Sequence, residues 1–183
     1  MKRTSFFLFL FAIATTLFAQ KPLITRTGTT IFFSHSPIED IEAINHQSTA
    51  AIDLAKREVV VKMLIKHFEF EKSLMQEHFN ENYLESEKYP SAIFKGVFTS
   101  ETPIDLNKEG TYPVTVTGKL TMHGVTQEIS CQGQLVVAGN QLTAKTEFMV
   151  RPEDFDIKIP SIVVQNIAEE VKVTSILPFN ISN

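Results

Sequence analysis

Histidines and one arginine are the side chains whose chemistry could matter most in this sequence. The histidines are His35, His46, His67, His78 and His123. No pair has the three-to-five-residue spacing of a helical metal site, and neither HExxH nor HxH occurs, so we predict no metal centre. His35 lies near the end of a predicted strand, where it could orient the head group of a ligand. Arg151 could pair with a phosphate group at a rim, or form a local salt bridge with Glu153 or Asp154.

Other kinds of catalysis find little support in the residue pattern. The chain has no Gly-x-Ser-x-Gly turn. Glu39-Asp40, Glu153-Asp154 and Glu169-Glu170 are adjacent pairs, and neighbours in a strand point to opposite faces, which makes them poor acid–base partners. The lone cysteine, Cys131, cannot form an internal disulfide and falls in an apolar register, where we expect it to be buried. We therefore predict no catalytic residue and no cofactor.

Length and charge narrow the class of protein further. The chain has 183 residues, which suits one folded domain. Its 17 basic and 21 acidic side chains give a net charge of −4, so nothing indicates a nucleic-acid surface. An apolar share of 43% indicates a packed core and excludes a disordered chain.

The N-terminus has the three-part pattern of a secretory signal. Lys2 and Arg3 provide positive charge, 6–18 is almost entirely apolar, and the small residue Ala19 follows. The apolar run is shorter than the about 20 residues that a membrane-spanning helix needs, which disfavours the alternative of an uncleaved anchor. We predict a signal peptide over residues 1–19, a domain over 20–183, and a periplasmic or secreted protein.

Two-residue alternation of apolar side chains dominates the rest of the chain. It predicts strands at Glu58–Lys66, Thr111–Met122, Val125–Val137, Leu142–Val150 and Glu170–Phe179, with shorter candidates at Thr29–Ser36, Asn45–Asp53 and Ala92–Glu101. Eight strands without repeated helical crossovers predict an all-β, antiparallel fold. A closed barrel would leave no exposed edges, whereas a two-sheet sandwich fits the periodicity nearly as well.

Phe70–Leu84 is the exception to the strand pattern. Its apolar side chains recur at four-residue steps, with charged residues between them, which predicts one helix between two strands. The helix should end before Pro90, because a proline disfavours helical conformation in the residue that precedes it. Such a helix could act as a lid across one mouth of a barrel or could simply plug the core from the surface.

Three segments carry a resemblance to a known family. They are Lys88–Pro90 with Ala92–Phe94, Tyr112–Thr126 reading YPVTVTGKLTMHGVT, and Phe155–Val173 reading FDIKIPSIVVQNIAEEVKV. Together they are similar to the YceI family of bacterial exported proteins. The resemblance implies a lipocalin-like, eight-stranded antiparallel barrel whose hydrophobic tunnel binds a polyisoprenoid or related amphiphilic lipid. The segment from His67 to Leu84 departs from the family by being richer in Phe and Met, which leaves the shape of the tunnel mouth and the ligand open.

The predicted interior is strongly apolar, as ligand sites usually are. The candidate ligand-binding residues are Phe33, Val61, Met63, Ile65, Phe94, Phe98, Val114, Val116, Leu120, Ile129, Leu135, Phe148, Val171 and Val173. His35 and Arg151 are the candidates for the head group. Without the resemblance, a completely filled interior would be favoured.

The preferred interpretation is a non-enzymatic carrier of a polyisoprenoid or fatty-acyl lipid, with transient membrane contact as part of transfer. The first alternative is a lipid-modifying hydrolase that uses His35 or His123, and the second is a structural envelope protein with a filled core. The oligomeric state stays open, with a homodimer as one alternative.

Overall fold

Long strands form most of the part of the chain that the structure describes. The structure, a computed structural model, describes residues 21–159 and 168–181, so the predicted signal lies outside the described residues. The strands are β1 (Leu23–His35), β2 (Asp40–Asp53), β3 (Glu58–Leu64), β4 (Glu69–Phe70), β5 (Ser91–Thr99), β6 (Gly110–Met122), β7 (Val125–Ala138), β8 (Gln141–Val150) and β9 (Val171–Asn180). All but β4 overlap a strand predicted from the sequence.

The strands close into a barrel. The order around the sheet is β1-β9-β8-β7-β6-β5-β3-β2, and β1 also pairs with β2. Each of these pairings is antiparallel. This closure confirms the eight-stranded antiparallel barrel and is inconsistent with the sandwich. The two-residue β4 pairs with β2 alone and lies outside the ring.

Side-chain alternation decides which residues face the interior. In β3, Val59, Val61 and Met63 are buried, whereas Val60 and Lys62 are exposed. A strand has this pattern when one face packs against a core and the other meets solvent. The same alternation holds in β6 and in the second half of β7.

A pair of glycines makes room for an aromatic ring on the inner wall. Gly96 of β5 lies directly opposite Gly118 of β6. A Cβ atom on either residue would approach the ring Cζ of Phe94 to 2.7 Å, closer than carbon atoms normally pack. The absence of both side chains therefore lets the Phe94 ring lie against the wall.

The predicted helix at Phe70–Leu84 forms only in part. An α-helix, α1, spans Ser73–His78, and a π-helical turn over Phe79–Tyr83 continues it. The expected start is wrong because Phe70 belongs to β4, where it pairs with Ala43. We call the segment from Ser73 to Tyr83 the cover. Among the described residues, no helix has the length and apolar character needed to cross a membrane.

Two clusters of buried side chains occupy opposite ends of the barrel. At the end with the β2–β3 and β7–β8 turns, the cluster includes Ile52, Leu142 and Phe179. At the other end it includes Phe68 and Phe155, with partly buried aromatic rings packed against them. We call the first the closed end and the second the mouth.

Candidate functional site

An apolar cavity of about 400 Å³ lies inside the barrel. We call it the bore. Small-molecule sites commonly have volumes of about 300–1,000 Å³ and mostly apolar walls, so the bore has the size and character of a ligand site. The alternative of a completely filled interior is therefore wrong.

The bore is lined by nearly all of the predicted ligand-binding residues. Those that border it are Val61, Met63, Ile65, Phe94, Phe98, Val114, Val116, Leu120, Ile129, Leu135, Phe148, Val171 and Val173. They come from β3, the turn after it, and β5 to β9, so almost the whole circumference contributes. Whether they contact a ligand remains a prediction.

Phe33 was expected to face inward, and that placement is wrong. Its neighbour Phe32 borders the bore instead, whereas the Phe33 ring packs near Lys172, whose Nζ lies 5.8 Å from the ring centroid. The inner face of β1 carries the hydroxyl residues Thr30 and Ser34 on either side of Phe32. Because apolar alternation is interrupted on that face, the register could not be assigned from hydrophobicity.

The hydroxyl groups on the inner face of β1 form hydrogen bonds with other segments of the chain. Thr30 Oγ1 lies 2.8 Å from Ser48 Oγ and 3.5 Å from Ser175 Oγ, and all three residues are buried. The Ser34 hydroxyl accepts a hydrogen bond of 2.9 Å from the backbone N–H of Ala168. Paired hydroxyls can be buried at little cost, so these residues suit a wall that is otherwise hydrocarbon.

The two predicted head-group residues do not border the bore. His35 ends β1 with its side chain 75% exposed, and its Nδ1 lies 2.6 Å from Asp40 Oδ1. Arg151 forms a salt bridge of 2.7 Å with Glu153, the local alternative that the sequence predicts. Both residues occupy outward positions at strand ends, which explains why neither reaches the interior.

Other polar side chains border the bore near the mouth. They are Glu39, His78 and Tyr83. Glu39 accepts a hydrogen bond from Lys72, and this bond raises the pKa of the Lys72 ammonium. Burial raises the pKa of the Tyr83 hydroxyl, which therefore stays neutral and able to donate. Sequence periodicity places His78 and Tyr83 on the helical segment but does not indicate that they face a cavity.

An aromatic cluster holds the cover against the barrel. The Phe79 ring lies 5.3 Å from Phe32, 5.0 Å from Phe70 and 5.8 Å from Phe68, measured between ring centroids. Aromatic pairs at such distances each add about 0.5–1.5 kcal/mol beyond area burial. Leu74, Met75 and Phe79 of the cover all border the bore. The cover thus lies across the mouth, as expected for a lid.

Neither Cys131 nor His123 has the environment of a catalytic residue. Cys131 borders the bore and is half-buried rather than fully buried, and burial raises the pKa of its thiol. His123 lies outside the bore, with Nδ1 3.0 Å from the Phe155 carbonyl and Nε2 3.1 Å from Glu85 Oε2. His123 thereby links the β6–β7 turn to two neighbouring segments.

Within 21–159 and 168–181, no group of three or more His, Cys, Asp or Glu side chains could hold a metal ion.

A closed antiparallel barrel with a covered apolar bore defines a lipocalin-like protein, the class in which a barrel interior holds one small ligand. The YceI-like domain model matches residues 24–179. The chain therefore belongs to the YceI family. No curated protein sequence matches the chain.

Solved structures with the same fold cover most of the chain. A polyisoprenoid-binding domain from Saccharophagus degradans has a TM-score of 0.71 at 14% identity, covering 87% of this chain and 97% of its own. BcnA from Burkholderia cenocepacia has a TM-score of 0.69 at 16% identity, with coverage of 82% and 95%. The YceI protein of Campylobacter jejuni has a TM-score of 0.63 at 17% identity, with coverage of 81% and 90%. These similarities establish the shared fold.

Proposed function

We propose that this protein is an exported, non-enzymatic carrier that holds a polyisoprenoid or another long-chain amphiphilic lipid in the bore. The observation that carries the proposal is the covered apolar bore of about 400 Å³. The polyisoprenoid-binding character of the Saccharophagus degradans domain, which has the same fold, supports it. The N-terminal signal pattern supports export to the periplasm or beyond.

The wall of the bore favours a hydrocarbon chain over a polar ligand. Val61, Val116 and Leu120 are buried side chains that present only carbon and hydrogen to the cavity. For a ligand of about 30 to 40 heavy atoms, an efficiency of about 0.3 kcal/mol per atom gives about 9–12 kcal/mol, which corresponds to sub-micromolar to nanomolar affinity. The affinity therefore requires no polar contact.

The positions of His35 and His123 argue against a hydrolase that uses either of them. His35 is exposed, and His123 has both ring nitrogens next to other groups outside the bore. A hydrolase would need a base within reach of a nucleophile and the scissile bond. The two histidines that the hydrolase alternative requires are thus badly placed for it.

Native mass spectrometry tests the proposal directly. The full chain is isolated from the envelope of its own host under conditions that retain bound lipid, and the mass of the ligand and the number of subunits are measured together. We expect a long-chain lipid in stoichiometric amount. The bound lipid is then extracted and added back to the delipidated protein. We expect to recover it chemically unchanged after incubation.

Two results would contradict the carrier. Protein that carries no lipid and takes up none from an extract of the envelope would show that the bore is not a lipid site. Chemical turnover of the added lipid would show an enzyme, and its loss in the His35→Ala or His123→Ala variant would assign the histidine. The signal is checked by fractionation, which should place a chain shortened after Ala19 outside the cytoplasm.

A further inference from the structure

The ladder between β7 and β8 is shorter than the strands that form it. It ends at the pair Gly133 and Thr146. Both strands continue beyond this pair, because β7 stays paired with β6 as far as Val125 and β8 stays paired with β9 as far as Val150. Between residues 125–132 and 147–150, which the structure describes in full, no ladder pairing is present. We call this opening in the barrel wall the side window.

The window is framed at both ends. The Gly133–Thr146 pair bounds one end, and hydrogen bonds to the turn at Pro152–Phe155 bound the other. There, Gln127 Nε2 donates to the Asp154 carbonyl oxygen at 2.6 Å. The four β8 residues along the opening span about 13 Å at the usual rise of a strand. The window is therefore a bounded opening in a closed barrel and not a free sheet edge.

The same residues border the bore and the window. Ile129, Cys131 and Phe148 line both the bore and the depression between β7 and β8. Gln134 and Lys145, which are exposed on the outer face, also border the bore. The space of the bore therefore continues to the outside at this point of the wall.

Burial along the two strands changes where the ladder ends. On the ladder side, the inward residues Leu135 and Ala144 are 2% and 9% exposed. Beyond it, Cys131 and Phe148 occupy the same inner face but are only half-buried. The difference follows from the missing neighbour strand, because a paired strand would cover these side chains.

Three routes into the bore can be compared. The closed end is filled by Leu142 and Phe179, which are completely buried. The cover lies across the mouth, where the Phe79 aromatic contacts and the Lys72–Glu39 ion pair hold it against the barrel. At the side window, the described parts of β7 and β8 leave a gap without ladder pairing, and its inner rim is apolar.

We propose that the side window is the route by which the hydrocarbon chain of a bound lipid passes between the bore and the outside. The occupant is a single long acyl or prenyl chain, because the inner rim offers Ile129, Phe148 and the Cys131 thiol, none of which favours a charged group. The inference rests on the proposed function, since it gives the proposed ligand a path.

Closing the window with a reversible cross-link tests the route. Ser130 and Met149 are exposed and would pair across the window if the β7–β8 register continued. The variant Ser130→Cys/Met149→Cys is made in a Cys131→Ser background, so that the native thiol cannot compete. The matched control is Val136→Cys/Thr143→Cys in the same background, since this pair belongs to the intact ladder and leaves the window open.

The probe is cis-parinaric acid, a fluorescent fatty acid, and its association and dissociation rates are measured by stopped flow. We expect oxidation of the window variant to slow both rates by about tenfold or more while Kd changes by less than about twofold, because a barrier alters rates without altering the end states. Reduction should restore the rates, and the control cystine should leave them unchanged.

Each outcome has a distinct meaning. Unchanged rates in a fully oxidised window variant overturn the route but leave the carrier intact. Failure of the unmodified protein to bind cis-parinaric acid or any envelope lipid overturns the proposed function and the route with it. If mass spectrometry shows that the disulfide forms incompletely, the variant Ser130→His/Met149→His, bridged by Zn²⁺, takes its place. Zn²⁺ should then slow both rates, and EDTA should restore them. Unchanged rates with Zn²⁺ bound would also overturn the route.

Discussion

The closed end and the mouth of this barrel are built from opposite ends of the same strands, yet some of their large apolar side chains are buried to different degrees. Leu142 and Phe179 at the closed end are completely buried and do not border the bore. Phe32, Phe70 and Phe79 at the mouth are only partly buried and border it. Complete packing stabilises a fold but leaves no room for a ligand. Leu142 and Phe179 therefore contribute packing alone, whereas the three rings at the mouth also border the space for a ligand.

The connections between the strands explain part of this difference. At the closed end, β7 and β8 are joined by a tight turn in which Gly139 adopts a φ of +54°, a conformation that favours glycine. At the mouth, the segment from β4 to β5 contains the whole cover. Short turns bring neighbouring strands together and let their side chains fill the end, whereas the long connection supplies a separate layer over the bore.

The largest effect should come from a charge placed in the bore between the two ends. Val116 is 9% exposed, borders the bore and belongs to an apolar cluster, so Val116→Arg should abolish lipid loading, because the cation would be buried among hydrocarbon side chains. Its neighbour Thr117 faces solvent. Thr117→Arg is the matched control and should load normally. Native mass spectrometry of both variants measures the loaded fraction.

Circular dichroism must first show that the Val116→Arg variant is folded. If it is not, Phe148→Asp provides a second test, because Phe148 lines the bore but is only half-buried and tolerates a charge better. Full loading of a folded variant of either kind would mean that the ligand does not occupy the bore.

The next largest effect should be a loss of stability at the closed end without a loss of binding. Phe179→Ala removes a completely buried ring that does not border the bore. We expect the free energy of unfolding to fall by about 3–5 kcal/mol, the usual cost of emptying such a site. Urea unfolding measures this change, while the Kd for lipid should stay the same. A strong loss of affinity in the folded variant would contradict the division between the two ends.

A smaller loss of stability, with a clear effect on binding, should follow from the equivalent change at the mouth. Phe79→Ala removes the ring that contacts three other phenylalanines and holds the cover. We expect the free energy of unfolding to fall by about 1–3 kcal/mol, and the affinity for lipid to fall as well.

Glu77→Ala is the control for this variant, because Glu77 belongs to the same cover but is exposed and does not border the bore. It should change stability by less than about 0.5 kcal/mol. If Phe79→Ala destabilised the protein as much as Phe179→Ala while lipid binding stayed normal, the mouth would be an ordinary core and the cover a structural element.

The strands were predictable because each has one buried and one solvated face. Alternation in β3, β6 and β8 is nearly uninterrupted, so periodicity alone locates them. β1 shows the limit of this signal. Its inner face mixes Phe32 with Thr30 and Ser34, whose hydroxyls form hydrogen bonds with residues distant in the sequence. Such contacts depend on the closed barrel and cannot be read from local spacing.

The site was predictable only as far as it follows from the strands. The apolar lining follows from alternation, whereas the cover and the side window depend on where pairing stops. Inward and outward side chains still alternate through Ile129 and Cys131, although β7 no longer pairs with β8 there. The predicted head-group residues failed for a related reason: His35 and Arg151 lie at strand ends, where orientation is set by the following turn.

The smallest effect concerns the thiol of Cys131 at the boundary between bore and window. Burial raises its pKa, so alkylation by iodoacetamide should require a higher pH in the folded protein than in urea, where the ordinary thiol value of about 8.5 applies. Because the folded-state pKa is the higher one, the associated stability is present at neutral pH and is lost as the pH rises through the folded value. A folded-state profile equal to that in urea would mean that the window exposes the thiol fully to water, as an open sheet edge would. A shifted profile that moves further upward on loading with lipid would place the hydrocarbon chain beside Cys131.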